Sequence, residues 1–147
     1  MSSEREGPPR SGWARLAPEL LVSNLDESLS FWRDLLGFRV AYSRPGFVYL
    51  ERREGAQIML CQRDGTFETG DMARPFGRGA MFQVYVQALA PIVDALAASG
   101  RSLYAPLREV WRRWGDREGG QREFFVQDPD GYLVMVAEHI GERPLPE

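Results

Sequence analysis

The chain has 147 residues, of which 44% are apolar, 27% charged and 12% aromatic, with a net charge of −3. That is the length and composition of one soluble globular domain, and no apolar run approaches the roughly 18 residues needed to cross a bilayer. One cysteine (Cys61) and one histidine (His139) exclude an internal disulfide, a cysteine zinc cluster and most catalytic triads. All 18 basic residues are arginine, which excludes Schiff-base chemistry by a lysine. A mildly acidic chain without a basic tract is a poor candidate for nucleic-acid binding. Met1 to Gly12 is polar, contains Pro8 and Pro9, and is read as a flexible tail without the apolar stretch of a secretion signal. A cytoplasmic protein without membrane contact is expected.

Leu16 to Val22 reads as a strand, with Pro18 requiring an edge position or a chain start. Asn24 or Asp26 can cap the helix that follows, and acids in its first turn favour the positive end of its dipole. Leu25, Leu29, Trp32, Leu35 and Leu36 recur at helical spacing until Gly37 ends the helix. Residues 38–42, 47–51 and 56–62 read as three further strands, split by Pro45-Gly46 and Glu54-Gly55. A polar, irregular linker covers 63–79. The pattern then restarts with a strand at 80–86, a helix at 89–99, and strands at 103–109, 123–127 and 132–138. Asp128-Pro129-Asp130-Gly131 forms the tight turn before the last strand.

Both halves thus follow the order strand, helix, strand, strand, strand. The expected fold is α+β: two βαβββ modules forming a curved, mostly antiparallel sheet, with helices on one side and a cleft on the other. The expected layout is a single domain over 13–140, with module one at 15–62 and module two at 80–140. Residues 141–147 read as a short tail.

Val22-Ser-Asn-Leu-Asp-Glu-Ser-Leu-Ser-Phe-Trp-Arg-Asp-Leu-Leu-Gly-Phe38 resembles the opening signature of glyoxalase and bleomycin-resistance proteins. Arg122-Glu-Phe-Phe-Val-Gln-Asp-Pro-Asp-Gly-Tyr132 resembles their closing signature. The resemblance implies the glyoxalase/bleomycin resistance/dioxygenase (vicinal oxygen chelate) fold, which hosts many activities. Enzymes of that family hold a divalent metal with His, Glu or Gln side chains. The corresponding positions here fall at Ala17, Met81 and Met135, with the fourth near Met59. Alanine has no donor atom, and thioether sulfur is a soft ligand unsuited to such ions, so no metal and no cofactor are expected.

Period-two alternation then turns Glu19, Leu21, Gln57, Cys61, Gln83, Tyr85, Leu133 and Ala137 toward the cleft beside those four. Leu20, Val22, Ile58, Leu60, Phe82, Val84, Val134 and Val136 fall on the helix side. Such a cleft is apolar and methionine-rich, as an organic ligand requires. Methionines in strands are also common core filler, and Cys61 reads as a small buried hydrophobe. His139 is placed beyond the last strand, at the surface.

Trp111, Trp114, Arg112, Arg113 and Arg117 form an aromatic, basic loop ahead of the closing signature. The resemblance implies stacking of an aromatic there on a drug's planar rings; a sheet-end cover or dimer contact is the alternative. The expected ligand-binding set is Glu19, Met59, Met81, Gln83, Tyr85, Trp111, Trp114 and Met135, with no catalytic residue. The resemblance implies a metal-independent protein that sequesters a bleomycin-type antibiotic or other aromatic molecule as a homodimer. Trp13, Phe47, Phe67 and Phe76 read as exposed and compatible with a dimer. Glu51, Glu54, Asp64, Glu68 and Asp71 could give the acidic rim a cationic drug needs, opposed by the 112–117 arginines. The alternative is a glyoxalase- or dioxygenase-like enzyme acting on a metabolite, including a metal-free catalyst built on Glu19 and Tyr85.

Overall fold

A computed structural model describes residues 5–147, so the first four residues of the expected tail lie outside the described residues. The chain divides into two compact units, residues 1–76 with 128–130 and residues 77–127 with 131–147. Each holds one four-stranded sheet, ordered β1-β4-β3-β2 in the first and β5-β8-β7-β6 in the second. The α+β reading of two βαβββ modules is therefore correct.

In the first unit, β1 (Glu19–Val22) lies parallel to β4 (Gln57–Gln62). β3 (Phe47–Glu51) is antiparallel to β4 and to β2 (Arg39–Arg44). β1 is shorter than the sequence pattern implies: its ladder opens where the Met59 amide donates to the Pro18 carbonyl at 2.8 Å. Asn24 caps α1 (Leu25–Leu29), accepting the Glu27 amide at 3.1 Å on its side-chain oxygen. From Ser30 to Leu35 the helix widens to a π-helical winding, and the sequence neighbours Phe31 and Trp32 are both buried there. The Trp32 indole N–H donates to the buried Asp128 carboxylate at 3.2 Å, and Asp130 accepts the Ser23 amide at 2.9 Å. The aspartates of the expected tight turn are thus structural acceptors for the β1–α1 region.

Gly7 to Ala14, expected to be a flexible tail and the approach to β1, is tied to this sheet. The Gly7 amide donates to the Ala41 carbonyl at 2.8 Å, and the Ala14 amide to the Gln57 side-chain oxygen at 3.0 Å. Trp13 stands edge-on to Tyr42 and Tyr49, which stack on each other at 5.1 Å. Phe47 and Phe76 are buried, contrary to the sequence reading, while Trp13 and Phe67 are exposed as expected. Phe47 packs with Ala41 and Tyr49 inside a small apolar cluster, so it has no surface to offer a dimer.

In the second unit, β5 (Met81–Tyr85) is parallel to β8 (Leu133–Pro144), and α2 (Ala90–Ala98) follows β5. β6 (Ala105–Trp114) and β7 (Arg117–Gln127) form a long hairpin whose two-residue turn is Gly115-Asp116. Gly115 has φ of +67°, which suits the first central position of a tight hairpin turn. Two sequence expectations fail here. The 112–117 loop is strand and hairpin tip, and the tail from 141 is strand as far as Pro144, because the lengthened β7 gives β8 a partner to that point.

The two sheets repeat in register. Glu19 pairs with Met59 and Met59 with Tyr49 in the first; Gln83 pairs with Met135 and Met135 with Phe125 in the second. The helix-side assignment holds at seven of eight positions, but Gln57, Met135 and Ala137, turned toward the cleft by alternation, are buried as well. Leu20, Val22, Ile58, Leu60, Val84, Val134 and Val136 are buried, and Glu19, Met81, Gln83 and Tyr85 are exposed. Replacing Trp32 by Phe should lower stability by about 1–3 kcal/mol, since it leaves a buried carboxylate short of one donor. Urea unfolding measures this, and an unchanged midpoint would show the indole bond to be dispensable.

Candidate functional site

Alternation along β5, β8, β7 and β6 brings one polar and aromatic cluster to the exposed face of the second sheet. Its centre is Glu123 on β7, whose side chain is fully buried although it carries charge. Arg112 grips it with two bonds, Nη1 to Oε1 at 2.6 Å and Nη2 to Oε2 at 3.1 Å. Arg108, directly across the ladder, adds Nη2 to Oε2 at 3.0 Å, and the Gln121 amide donates to Oε1 at 2.8 Å. These bonds, that of Arg112 foremost, outweigh desolvation and hold the Glu123 carboxyl down at about 2 against an ordinary 4.5.

Beside this clamp lies a cavity of about 290 Å³ lined by Tyr85, Arg112, Arg113, Trp114, Gly119, Gln121 and His139. His139 stacks on Tyr85 with ring centres 5.2 Å apart and planes 14° from parallel. The Tyr85 hydroxyl donates to the Gln83 side-chain oxygen at 2.9 Å. Trp114 forms the other wall above Gly119, where an added Cβ would come within 2.9 Å of its ring. A planar group entering here meets aromatic faces and guanidinium charge together.

The eight expected ligand residues are divided between the units, Glu19 and Met59 in the first and the other six in the second. Tyr85 and Trp114 line the cavity, and Gln83 supports it through the Tyr85 hydroxyl. Met135 is buried beside Gln83 in the ladder, and Met81 is exposed two residue pairs further along the sheet. Glu19 and Met59 pair with each other in the first unit. Trp111 faces away: its ring lies over Gly120, Arg143 sits 4.0 Å above it, and its indole N–H donates to Glu109 at 3.0 Å. Strand alternation separates Trp111 from Trp114, so the two tryptophans serve opposite faces.

Arg112, Arg113, Gly119, Gln121 and His139, all outside the expected set, also line the cavity. His139 lies within β8, not beyond it, two positions past Ala137 on the same face. Extending the alternation past Glu138 would have found it. Cys61, in the first unit, is half-buried, and burial pushes its thiol up, away from nucleophilic use.

The sequence profile described as the Glyoxalase/Bleomycin resistance protein/Dioxygenase superfamily matches residues 14–136. The chain belongs to this superfamily. A relative named a probable lactoylglutathione lyase, from Vibrio parahaemolyticus, is 28% identical over 130 residues, covering 82% of this chain and 86% of its own. Among solved structures, TioX from Micromonospora is similar, with a TM-score of 0.65 at 18% identity, over 87% of this chain and 100% of that one. A virulence protein from Salmonella typhimurium gives a TM-score of 0.63 at 22% identity, over 87% of this chain and 98% of the other. At these identities the structural likenesses establish the fold.

The divalent ion that superfamily enzymes use does not fit this donor set. Ala17 offers no donor, Met59, Met81 and Met135 offer thioethers, and Met135 is buried. Among the described residues no three His, Cys, Asp or Glu side chains converge to hold a metal. Nor does any helix among them have the length and apolarity to cross a membrane. Glu123 is the strongest carboxylate of the second sheet, and its oxygens are already taken by two arginines and a glutamine.

Because the folded carboxyl of Glu123 titrates below its unfolded value, its contribution is complete above about pH 4.5 and fades as pH falls toward 2. Both guanidiniums are about half exposed, so we expect about 1–3 kcal/mol rather than the full linkage value. Glu123→Gln should show that deficit at pH 7 in denaturant melts, converging with the parent near pH 2–3. A constant gap over that range would mean the cost is steric, not electrostatic.

Proposed function

We propose that this chain is a metal-independent binding protein that takes a small, planar, anionic organic molecule in the cavity of the second sheet. The observation that carries this is the composition of that cavity. Trp114 forms one wall, the Tyr85–His139 stack another, and Arg112 and Arg113 border both. Each wall suits a ring face, and the guanidiniums suit a carboxylate or similar oxyanion. A volume of about 290 Å³ accommodates one or two fused rings with an acid group, and nothing as large as a glycopeptide without leaving most of it outside.

The sign of the lining also bears on the drug class. A cationic bleomycin-type ligand would approach Arg112 and Arg113 at close range with Glu123 already neutralised. We therefore read the ligand as an acid. Sequestration requires no reacting group, and the carboxylate beside the cavity, Glu123, is locked in ion pairs. The lyase activity in the name of the Vibrio relative is the competing reading, and the donor set argues against its metal-dependent form. The homodimer that the family resemblance implies belongs to the same proposal. It would cover Tyr104 and Leu107, exposed at 64% and 46%.

Tryptophan-fluorescence titration with 1-naphthoate tests the reading, with metal-free bleomycin as the cationic comparison. Saturable quenching by naphthoate is expected, weakened about tenfold (~1.4 kcal/mol) in Trp114→Ala and Arg113→Ala and unchanged in Trp111→Ala or with chelator. Gly119→Ala should weaken it too, by tilting the Trp114 ring, while leaving the urea midpoint within about 1 kcal/mol of the parent. Tighter binding of bleomycin than of naphthoate would reverse the charge assignment. A flat response to both would remove the cavity from consideration.

A further inference from the structure

Among the described residues the two sheets end in the edge strands β1, β2, β5 and β6. β1 and β5 have only four and five residues, and β2 already carries the N-terminal segment, whose Gly7 amide donates to the Ala41 carbonyl. β6 is different. It has ten residues, pairs only with β7 among the described residues, and holds no lysine and a single proline at its start. A long edge of this kind is a template for another strand. We propose that β6 pairs antiparallel with β6 of a second copy of this chain, about a two-fold axis through Trp111. This pairing is the interface of the homodimer proposed above and rests on that reading.

Backbone geometry selects which residues can take part. Trp114 and Arg117 flank the two-residue turn of the β6–β7 hairpin. In such a hairpin the flanking pair exchanges both backbone hydrogen bonds, and pairs of that kind alternate with pairs that exchange none. Arg108, Val110, Arg112 and Trp114 therefore spend their amides and carbonyls on β7. Glu109, Trp111 and Arg113 present theirs to the open edge. A second β6 can bond to those three residues only if its own three lie opposite them, which gives about six interchain hydrogen bonds when the axis passes through Trp111.

Charge then selects the register. With the axis at Trp111, Glu109 stands opposite the partner subunit's Arg113, and the same contact recurs on the other side of the axis. Arg108 stands opposite Trp114 of the partner subunit, a guanidinium against an indole that is 61% exposed in the single chain. Every other axis from Arg108 to Arg113 sets like charges face to face, which is unfavourable. An axis at Arg108, Arg112 or Arg113 opposes that arginine to its own copy, and one at Glu109 opposes two glutamates. An axis at Val110 sets Arg108 against the partner's Arg112. Glu109 and Arg113 are both exposed, and neither belongs to an ion pair among the described residues. Glu109 accepts the Trp111 indole N–H at 3.0 Å, which keeps its carboxylate beside the axis, and Arg113 Nε rests on the Gly115 carbonyl at 3.0 Å. The charges that would keep an edge strand apart are thus arranged to match a second copy.

Sedimentation equilibrium of the full chain and three variants tests the pairing. The parent is expected at twice the 16.7 kDa mass of one chain. Glu109→Arg sets arginine against arginine and Arg113→Glu sets acid against acid, so each should raise the dimer Kd at least tenfold. Reversing both charges together, in Glu109→Arg/Arg113→Glu, recreates the complementary pair and should bring the dimer back, a recovery that a folding defect would not give. A dimer that survives both single reversals would overturn the β6 pairing and leave the homodimer to another surface. A monomeric parent would overturn the pairing and the homodimer together. Dissociation in the single variants without recovery in the double variant, at parent-like far-UV circular dichroism, would overturn the Trp111 register. The cavity's ligand is tested separately by the naphthoate titration.

Discussion

A carboxylate that is fully buried and still charged must be matched by fixed donors, and Glu123 imposes that requirement on the second unit. Meeting it sets the geometry of everything nearby. Arg108 is directly across the β6–β7 ladder and Arg112 is four residues further along the same strand, so both point to one face. With Arg112 held at two oxygens, Trp114 is carried to the same face one pleat later, and Gly119 beneath it leaves room for the ring. The cavity beside it is therefore a consequence of how a buried charge is neutralised. Taking away the acid would leave Arg108 and Arg112 half exposed without the partner that orders them.

The register repeat shows how one module can be turned to a different use. The pairing that places Arg108 opposite Glu123 places Arg44 opposite Phe47 in the first unit. There the guanidinium lies 4.0 Å above an aromatic ring instead of meeting a carboxylate. An arginine serves both partners because its planar cation can stack or form a fork, and a lysine in either place would lose one of these modes. The first sheet then surrounds Phe47 with Tyr42, Tyr49 and Met59, an apolar surface edged by Trp13, while the second develops polar recognition. The same backbone ladder thus supports an apolar face and a polar one, with Phe47 in the first unit standing where Glu123 stands in the second.

Most of the architecture was legible because strand alternation and helix stripes report burial directly. Val134 and Val136 against Met135 and Ala137, or Leu20 and Val22 against Glu19 and Leu21, separate the faces before any coordinates exist. The β6–β7 hairpin was not legible. Its run from Trp111 to Gly120 mixes tryptophan, arginine and glycine, and Gly119-Gly120 reads as a turn signal. In the structure those two glycines are strand residues that seat one tryptophan on each face. The N-terminal segment was misread for a related reason. Its polar composition signals a tail, but its backbone amides satisfy Glu51 and Gln57, and no pattern within residues 7–14 reveals partners some forty positions away.

The absent metal set and the arginine clusters can be connected by one electrostatic argument. A face built around a divalent cation tolerates carboxylates, because the ion neutralises them; without the ion, each retained carboxylate needs another positive group. In this chain Ala17 and three methionines stand at the expected ligand positions, and the two most buried glutamates are each held by arginine: Glu51 by Arg39, Glu123 by Arg108 and Arg112. Arginine is permanently charged and brings several directed donors, so it exceeds the charge it cancels wherever more than one converges. Around Glu123 two guanidiniums meet one carboxylate. At Glu123 the two arginines together carry more charge than the carboxylate they hold. The local charge of the second sheet then follows from how the chain neutralises its own buried carboxylate.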